Sequence, residues 1–107
     1  MSTFRTLELA IEFYKKCEAI KVSGPLRDQL LRASSSISLN LAEGNAKISV
    51  KEKRRYFQTA YGSIKECQTI FRLLELEDEN VSQMANHLGA SLYKLMNSKI
   101  SAMPSEF

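Results

Sequence analysis

The sequence predicts an all-α fold, an antiparallel up-and-down four-helix bundle occupying one domain, 1–107. Three observations predict it. Apolar residues recur at intervals of three and four in four separate stretches, the spacing of a helix with one buried face. The 107 residues include only two prolines and four glycines, too few for an all-β chain full of turns. No run alternates apolar and polar residues as a strand would, and the connections are short, which places consecutive helices side by side and antiparallel.

The first helix, about 4–21, lines up Phe4, Leu7, Ala10, Ile11, Tyr14 and Cys17 against Glu8, Glu12, Lys15 and Lys16. "VSGP" at 22–25 punctuates, and Pro25 is placed to open the second helix, about 26–43. Leu26, Leu30, Ala33, Ile37 and Leu41 form its core face, and Gly44 reads as its C-cap. Ser49 followed by Glu52 is a capping box opening the third helix, about 50–77, with Phe57, Ala60, Ile64, Cys67, Phe71 and Leu74 inward. "EDEN" at 77–80 breaks the pattern. A fourth helix, about 81–103, aligns Val81, Met84, Ala85, Leu88, Leu92, Leu95, Met96 and Met103, and "PSEF" reads as a frayed tail.

Composition narrows the function classes. Apolar residues at 44% and charged residues at 25% are ordinary for a soluble globular protein. A net charge of +3 is mildly basic and does not by itself demand a nucleic-acid partner. Charges interrupt the N-terminal segment, so it lacks signal-peptide form, and no window approaches a membrane span. Cys17 and Cys67 both fall on apolar faces and read as buried reduced thiols of a cytoplasmic protein.

The second helix carries an unusual set of polar residues. Gln29, Arg32, Ser36, Asn40 and Glu43 share one narrow stripe at 100° per residue. One flank of that stripe is the core face. The other holds Leu31, Ser35, Ser38, Leu39 and Ala42, which are small or apolar. A helix with so little wet surface needs cover on most sides, which a four-helix monomer does not supply, so this flank reads as a contact with a second copy. The stripe reads as a structural polar network in which Arg32 pairs with Glu43 or Glu66 while Asn40, Ser36 and Ser63 satisfy one another. The alternative is a plain solvated stripe.

"QLLRASSSISLNLAEGNAK", followed by "YGSIKECQTIF", resembles the signature of the four-helix-bundle proteins encoded in intervening sequences of bacterial 23S ribosomal RNA genes. The matching positions are Gln29, Arg32, Ala33, Ser36, Ile37, Asn40, Ala42, Glu43, Gly44, Ser63 and Glu66. Leu31 stands where that family often has a second basic residue, a change that suits an apolar subunit contact, and Leu41 replaces Ile. The resemblance implies a small non-enzymatic bundle that assembles into a ring, a homopentamer. The family is similar in turn to the accessory variability protein of diversity-generating retroelements, which implies nucleic acid or a protein as partner.

The chemistry of the remaining residues points to binding. "KISVKEKRR" sets Lys47, Lys51, Lys53, Arg54 and Arg55 against Glu52 alone at the start of the third helix, and "ELEDE" follows at its far end. Both runs oppose the helix dipole, which suggests another use for the charges. Arg54, Tyr61, Lys65 and Arg72 lie on one stripe, so these cations read as a phosphate-gripping surface, with structured RNA the leading ligand. Pairing between subunits and a simple solvated surface are the alternatives, and a protein-binding scaffold is the competing function.

Nothing predicts catalysis, a cofactor or a metal. His87 is the lone histidine and has no Asp, Cys or Ser partner at motif spacing, and the glycines are too scattered for a phosphate loop.

Overall fold

The computed structural model describes residues 2–97, and its elements are four helices: α1 (Thr3–Glu18), α2 (Pro25–Ala46), α3 (Val50–Leu73) and α4 (Glu79–Asn97). Each helix packs on its chain neighbours and α4 closes against α1, while the diagonal pairs meet only through side chains, as in the edge-on rings of Phe13 and Phe71. That is the up-and-down bundle predicted above. Met103 and the tail lie outside the described residues. Among the described residues, no helix is long and apolar enough to cross a membrane.

The core face of α1 is Ala10, Phe13 and Cys17 with Thr3 and Thr6. Phe4 and Ile11, expected inside, are instead 47% and 42% exposed, and Leu7 and Tyr14 are half-buried. The difference has a simple cause. Thr6 donates its hydroxyl to the Ser2 carbonyl at 2.9 Å, so it can be buried without an unpaired polar atom. The helix ends at Glu18 rather than near residue 21, and Arg27 reaches back to donate to the carbonyls of Glu18 and Ile20. Gly24, at φ 76°, then makes the turn that a residue with a Cβ adopts only at a cost, and Pro25 opens α2.

α2 does not stop at Gly44; it continues to Ala46. Gly44 is buried against α3, where an added Cβ would lie 2.9 Å from both the Phe57 ring and the Tyr56 Cβ. Its role is close approach rather than termination. α3 is capped by Ser49, whose hydroxyl accepts the Glu52 N–H at 3.1 Å, one half of the capping box read from the sequence.

At its far end α3 stops at Leu73, four residues before the predicted limit. Glu75 takes the left-handed conformation at φ 53°, with Leu76 N–H bonded to the Phe71 carbonyl and Glu75 N–H to that of Arg72. This is a Schellman closure built without glycine. The acids that follow therefore lie outside α3, and two of them serve the start of α4. Asp78 caps α4 by accepting the Val81 N–H at 3.2 Å, and Glu79 sits in its first turn, where negative charge is favoured.

Cys17 and Cys67 are free and fully buried. Burial pushes the Cys17 thiol up to about 12, with a hydrogen bond to Ser34 as a smaller opposing effect. Burial raises Cys67 as well, and the neighbouring Cys17 adds to it. Both are protonated and inert at neutral pH.

Two glycines separate packing from helix propensity. Gly62 is also helical, but nothing lies within 4 Å of a Cβ added there. Gly62→Ala should raise stability by about 0.5–1 kcal/mol, the ordinary propensity gain. Gly44→Ala should lower it by about 1–2 kcal/mol despite the same gain, because overpacking costs about 1–3 kcal/mol. Paired thermal melts check the opposite signs.

Candidate nucleic-acid interface

The position of α3 decides which of its side chains reach water. Lys53, Phe57, Ala60, Ser63, Ile64, Cys67, Ile70 and Phe71 are turned into the bundle. Lys51, Arg54, Arg55, Lys65 and Arg72 remain exposed. Arg54, Tyr61, Lys65 and Arg72 fall within a sector about 40° wide at 100° per residue, so they form a row along the helix. Lys65 sits over the Tyr61 ring, 5.1 Å from its centroid. Near the α2–α3 junction, Lys47 and Arg55 lie 5.3 and 5.5 Å from the centroid of Tyr56.

Among the described residues the ion pairs are Arg32–Glu66 and Glu43–Lys47. None involves Lys51, Arg54, Arg55, Lys65 or Arg72. Five solvent-facing cations on one helix thus carry no carboxylate partner within the described fold.

Lys53 does not belong to that surface. It is 5% exposed, and its ammonium donates to the Asn45 carbonyl at 3.1 Å near the end of α2. The charge there serves a helix C-terminus, where cations are favoured. Lys47 is half-buried and engaged by Glu43 at 3.7 Å, which leaves it a weaker candidate than its neighbours.

The polar stripe of α2 resolves into separate pieces. Arg32 pairs with Glu66 of α3, and at 62% and 37% exposure this is a surface bridge rather than a buried one. Asn40 donates to the Ser36 carbonyl at 2.8 Å and to its hydroxyl at 3.0 Å, and the Ser63 hydroxyl lies 3.0 Å from that of Ser36. Glu43 joins neither group, since Lys47 lies one turn away on its own helix. Gln29 is exposed. The sequence reading joins Gln29, Arg32, Ser36, Asn40, Glu43, Ser63 and Glu66 in one network; the structure holds an ion pair, a hydroxyl–amide cluster and a separate local pair.

On the flank read as a subunit contact, Leu31, Ser35 and Ser38 are half-buried, Ala42 is exposed, and Leu39 is 64% exposed. Ser35 and Ser38 donate to the carbonyls of Arg32 and Ser35, at 3.0 and 3.1 Å. Their hydroxyls are therefore satisfied within the helix and leave a small, smooth surface beside the leucine.

A family model described as 23S rRNA-intervening sequence protein matches residues 4–96, all four helices. The chain belongs to that family. No curated protein and no solved structure matches it.

The side of this family member that sequence reasoning passed over is α4. Tyr93 packs against Tyr61 with ring centroids 6.2 Å apart, and Gln68 of α3 donates its amide to Asn86 at 3.0 Å. The available signal was the spacing of Asn86, Ala90, Tyr93 and Asn97, a row on the outer face with a tyrosine in the middle. His87 is exposed and lines a shallow depression with Arg5, Glu8, Leu9 and Glu12. Among the described residues, no group of three or more His, Cys, Asp or Glu side chains is placed to hold a metal.

The split between Lys53 and its neighbours is measurable. Lys53→Ala should cost about 1.5–3 kcal/mol, the worth of a charge-assisted hydrogen bond. Lys51→Ala, on the wet face, should stay within about 0.5 kcal/mol of the parent. Equal chemical-denaturation midpoints for the two variants would contradict the assignment.

Proposed function

We propose that this family member is a non-enzymatic, cytoplasmic, homo-oligomeric bundle that binds nucleic acid, structured RNA above all, through the exposed cations of α3. The observation that carries the reading is the set Lys51, Arg54, Arg55, Lys65 and Arg72, all exposed and without ion-pair partners among the described residues. The family description sets these proteins in an rRNA-related context. Arg54 and Arg55 point about 100° apart on the helix, so one subunit does not bring every cation to one strand. A ring repeats the set, and modest contacts multiply through effective concentration. Assembly through the Leu31–Leu39 flank of α2 is the second part of the proposal, and a pentamer is the ring that the family resemblance implies. An exposed leucine among back-bonded serines supports that face.

Binding of this kind is sequence-tolerant and salt-dependent. Titration of a labelled structured RNA should give a log–log salt slope of roughly −3 to −4 for about four phosphate contacts. The double variant Arg54→Glu, Arg55→Glu should bind at least tenfold more weakly while melting nearly as the parent does. No binding by the parent at low salt, or equal affinity for both proteins, would leave a protein-binding scaffold as the better reading.

Light scattering on the same preparations tests assembly. The parent should have a mass several times the 12.1 kDa of one chain. Leu31→Glu with Leu39→Glu should reduce it to a monomer. A monomeric parent at micromolar concentration would contradict the assembly proposal.

A further inference from the structure

We infer that the groove between α3 and α4 is a seat for unpaired nucleotides, a loop or single-stranded stretch of RNA, with Tyr93 as its stacking platform. The inference rests on the nucleic-acid reading above and deepens it, because the exposed row of α3 forms one wall of this groove.

The groove consists of two cavities of about 520 and 320 Å³. They share Lys65, Gln68 and Asn86, so they are neighbouring halves of one depression. Arg72 lines the first half, and Tyr61, Tyr93 and Lys94 line the second. From Arg72 to Tyr61 the α3 wall runs about 16 Å at 1.5 Å per residue. That length suits a few nucleotides, the small end of known single-strand sites.

Its chemistry has the three parts that single-strand recognition uses. Lys65, Arg72 and Lys94 supply cations along both walls, against Glu75 as the one acid among the lining residues. Arg54 continues the same row beyond the groove on α3. Tyr93 is 57% exposed on a helix whose other large apolar side chains are buried or half-buried, and it is braced by Tyr61 at 6.2 Å. A braced, half-open ring offers a face to a base at little entropic cost. Gln68 and Asn86 bond to each other across the groove, and each amide retains hydrogen-bonding capacity for a base edge.

A duplex does not use these features. Its base faces are stacked internally, and A-form RNA presents mainly phosphates and 2′-hydroxyls to a protein. Unpaired bases can reach the tyrosine while their phosphates meet the cations. Gly89 and Ala90 on α4 keep that part of the wall low, which leaves the ring accessible from the groove.

Anisotropy titrations at low salt with two labelled RNAs test this. One is a hairpin with a ten-uridine loop; the other is a blunt duplex of the same stem sequence. The parent should bind the looped RNA at least tenfold more tightly. Tyr93→Ala should weaken binding of the looped RNA by about 5- to 100-fold, the usual loss for one stacked base, and leave duplex binding unchanged. Tyr93→Trp should retain or improve the loop preference. Tyr93 is on the surface, so these variants should fold, and circular dichroism confirms it. Unchanged loop affinity in Tyr93→Ala, or an equal loss on both RNAs, would overturn the inference and leave the nucleic-acid reading in place. A parent that binds neither RNA would overturn both.

Discussion

α2 and α3 approach so closely that a single methyl group at Gly44 would collide with Phe57 and Tyr56. The rest of the molecule follows from that approach. The Ser36–Ser63 hydroxyl contact and the Arg32–Glu66 pair tie the two helices in register. Small residues permit the approach, and dense packing makes it rigid. Once α3 is held on one side by α2 and on the other by α4, its outward sector is fixed. That sector is the row of Arg54, Tyr61, Lys65 and Arg72.

The same constraint accounts for Ser36 in the serine-rich stretch of α2, while the other serines bond within their own helix. A close helix pair has no room for long polar side chains, yet buried hydroxyls need partners. Ser34, Ser35 and Ser38 donate to carbonyls three residues back in their own helix. Ser36 is shared by Asn40 and Ser63. Among the described residues, no buried side-chain nitrogen or oxygen lacks a partner. Serine is a mediocre helix former, but at these positions compactness matters more than propensity.

Helix number, order and most of the core were legible in apolar spacing, because burial of one helix face writes a period into the order of the residues. The errors share a physical pattern. Gly44 looks like a C-cap, since sequence does not distinguish a glycine required for close packing from one required for a left-handed turn. The end of α3 was placed too late because Glu75 takes that turn without being glycine. Thr6 is absent from the α1 core read from the sequence because hydropathy takes no account of a hydroxyl that bonds a carbonyl one turn back. Lys53 was grouped with its charged neighbours, although it stands four residues before Phe57 and seven before Ala60, on the core stripe. Of the site itself, the α3 wall was legible as a charged row. The α4 wall was not, because which helix flanks that row depends on packing between elements distant in sequence.

Two kinds of surface remain on the bundle, and they are separate. The Leu31–Leu39 flank lies on α2, while the cationic row and its groove lie on α3 and α4. In the proposal the first surface serves assembly and the second serves nucleic acid. Photocrosslinking of the intact protein to a looped RNA, read by mass spectrometry, tests the central claim most directly. The account predicts crosslinks on Tyr61, Tyr93 and the peptides bearing Arg54, Lys65 and Arg72, lost at high salt. Crosslinks concentrated on α1 or on the leucine flank of α2 would contradict it.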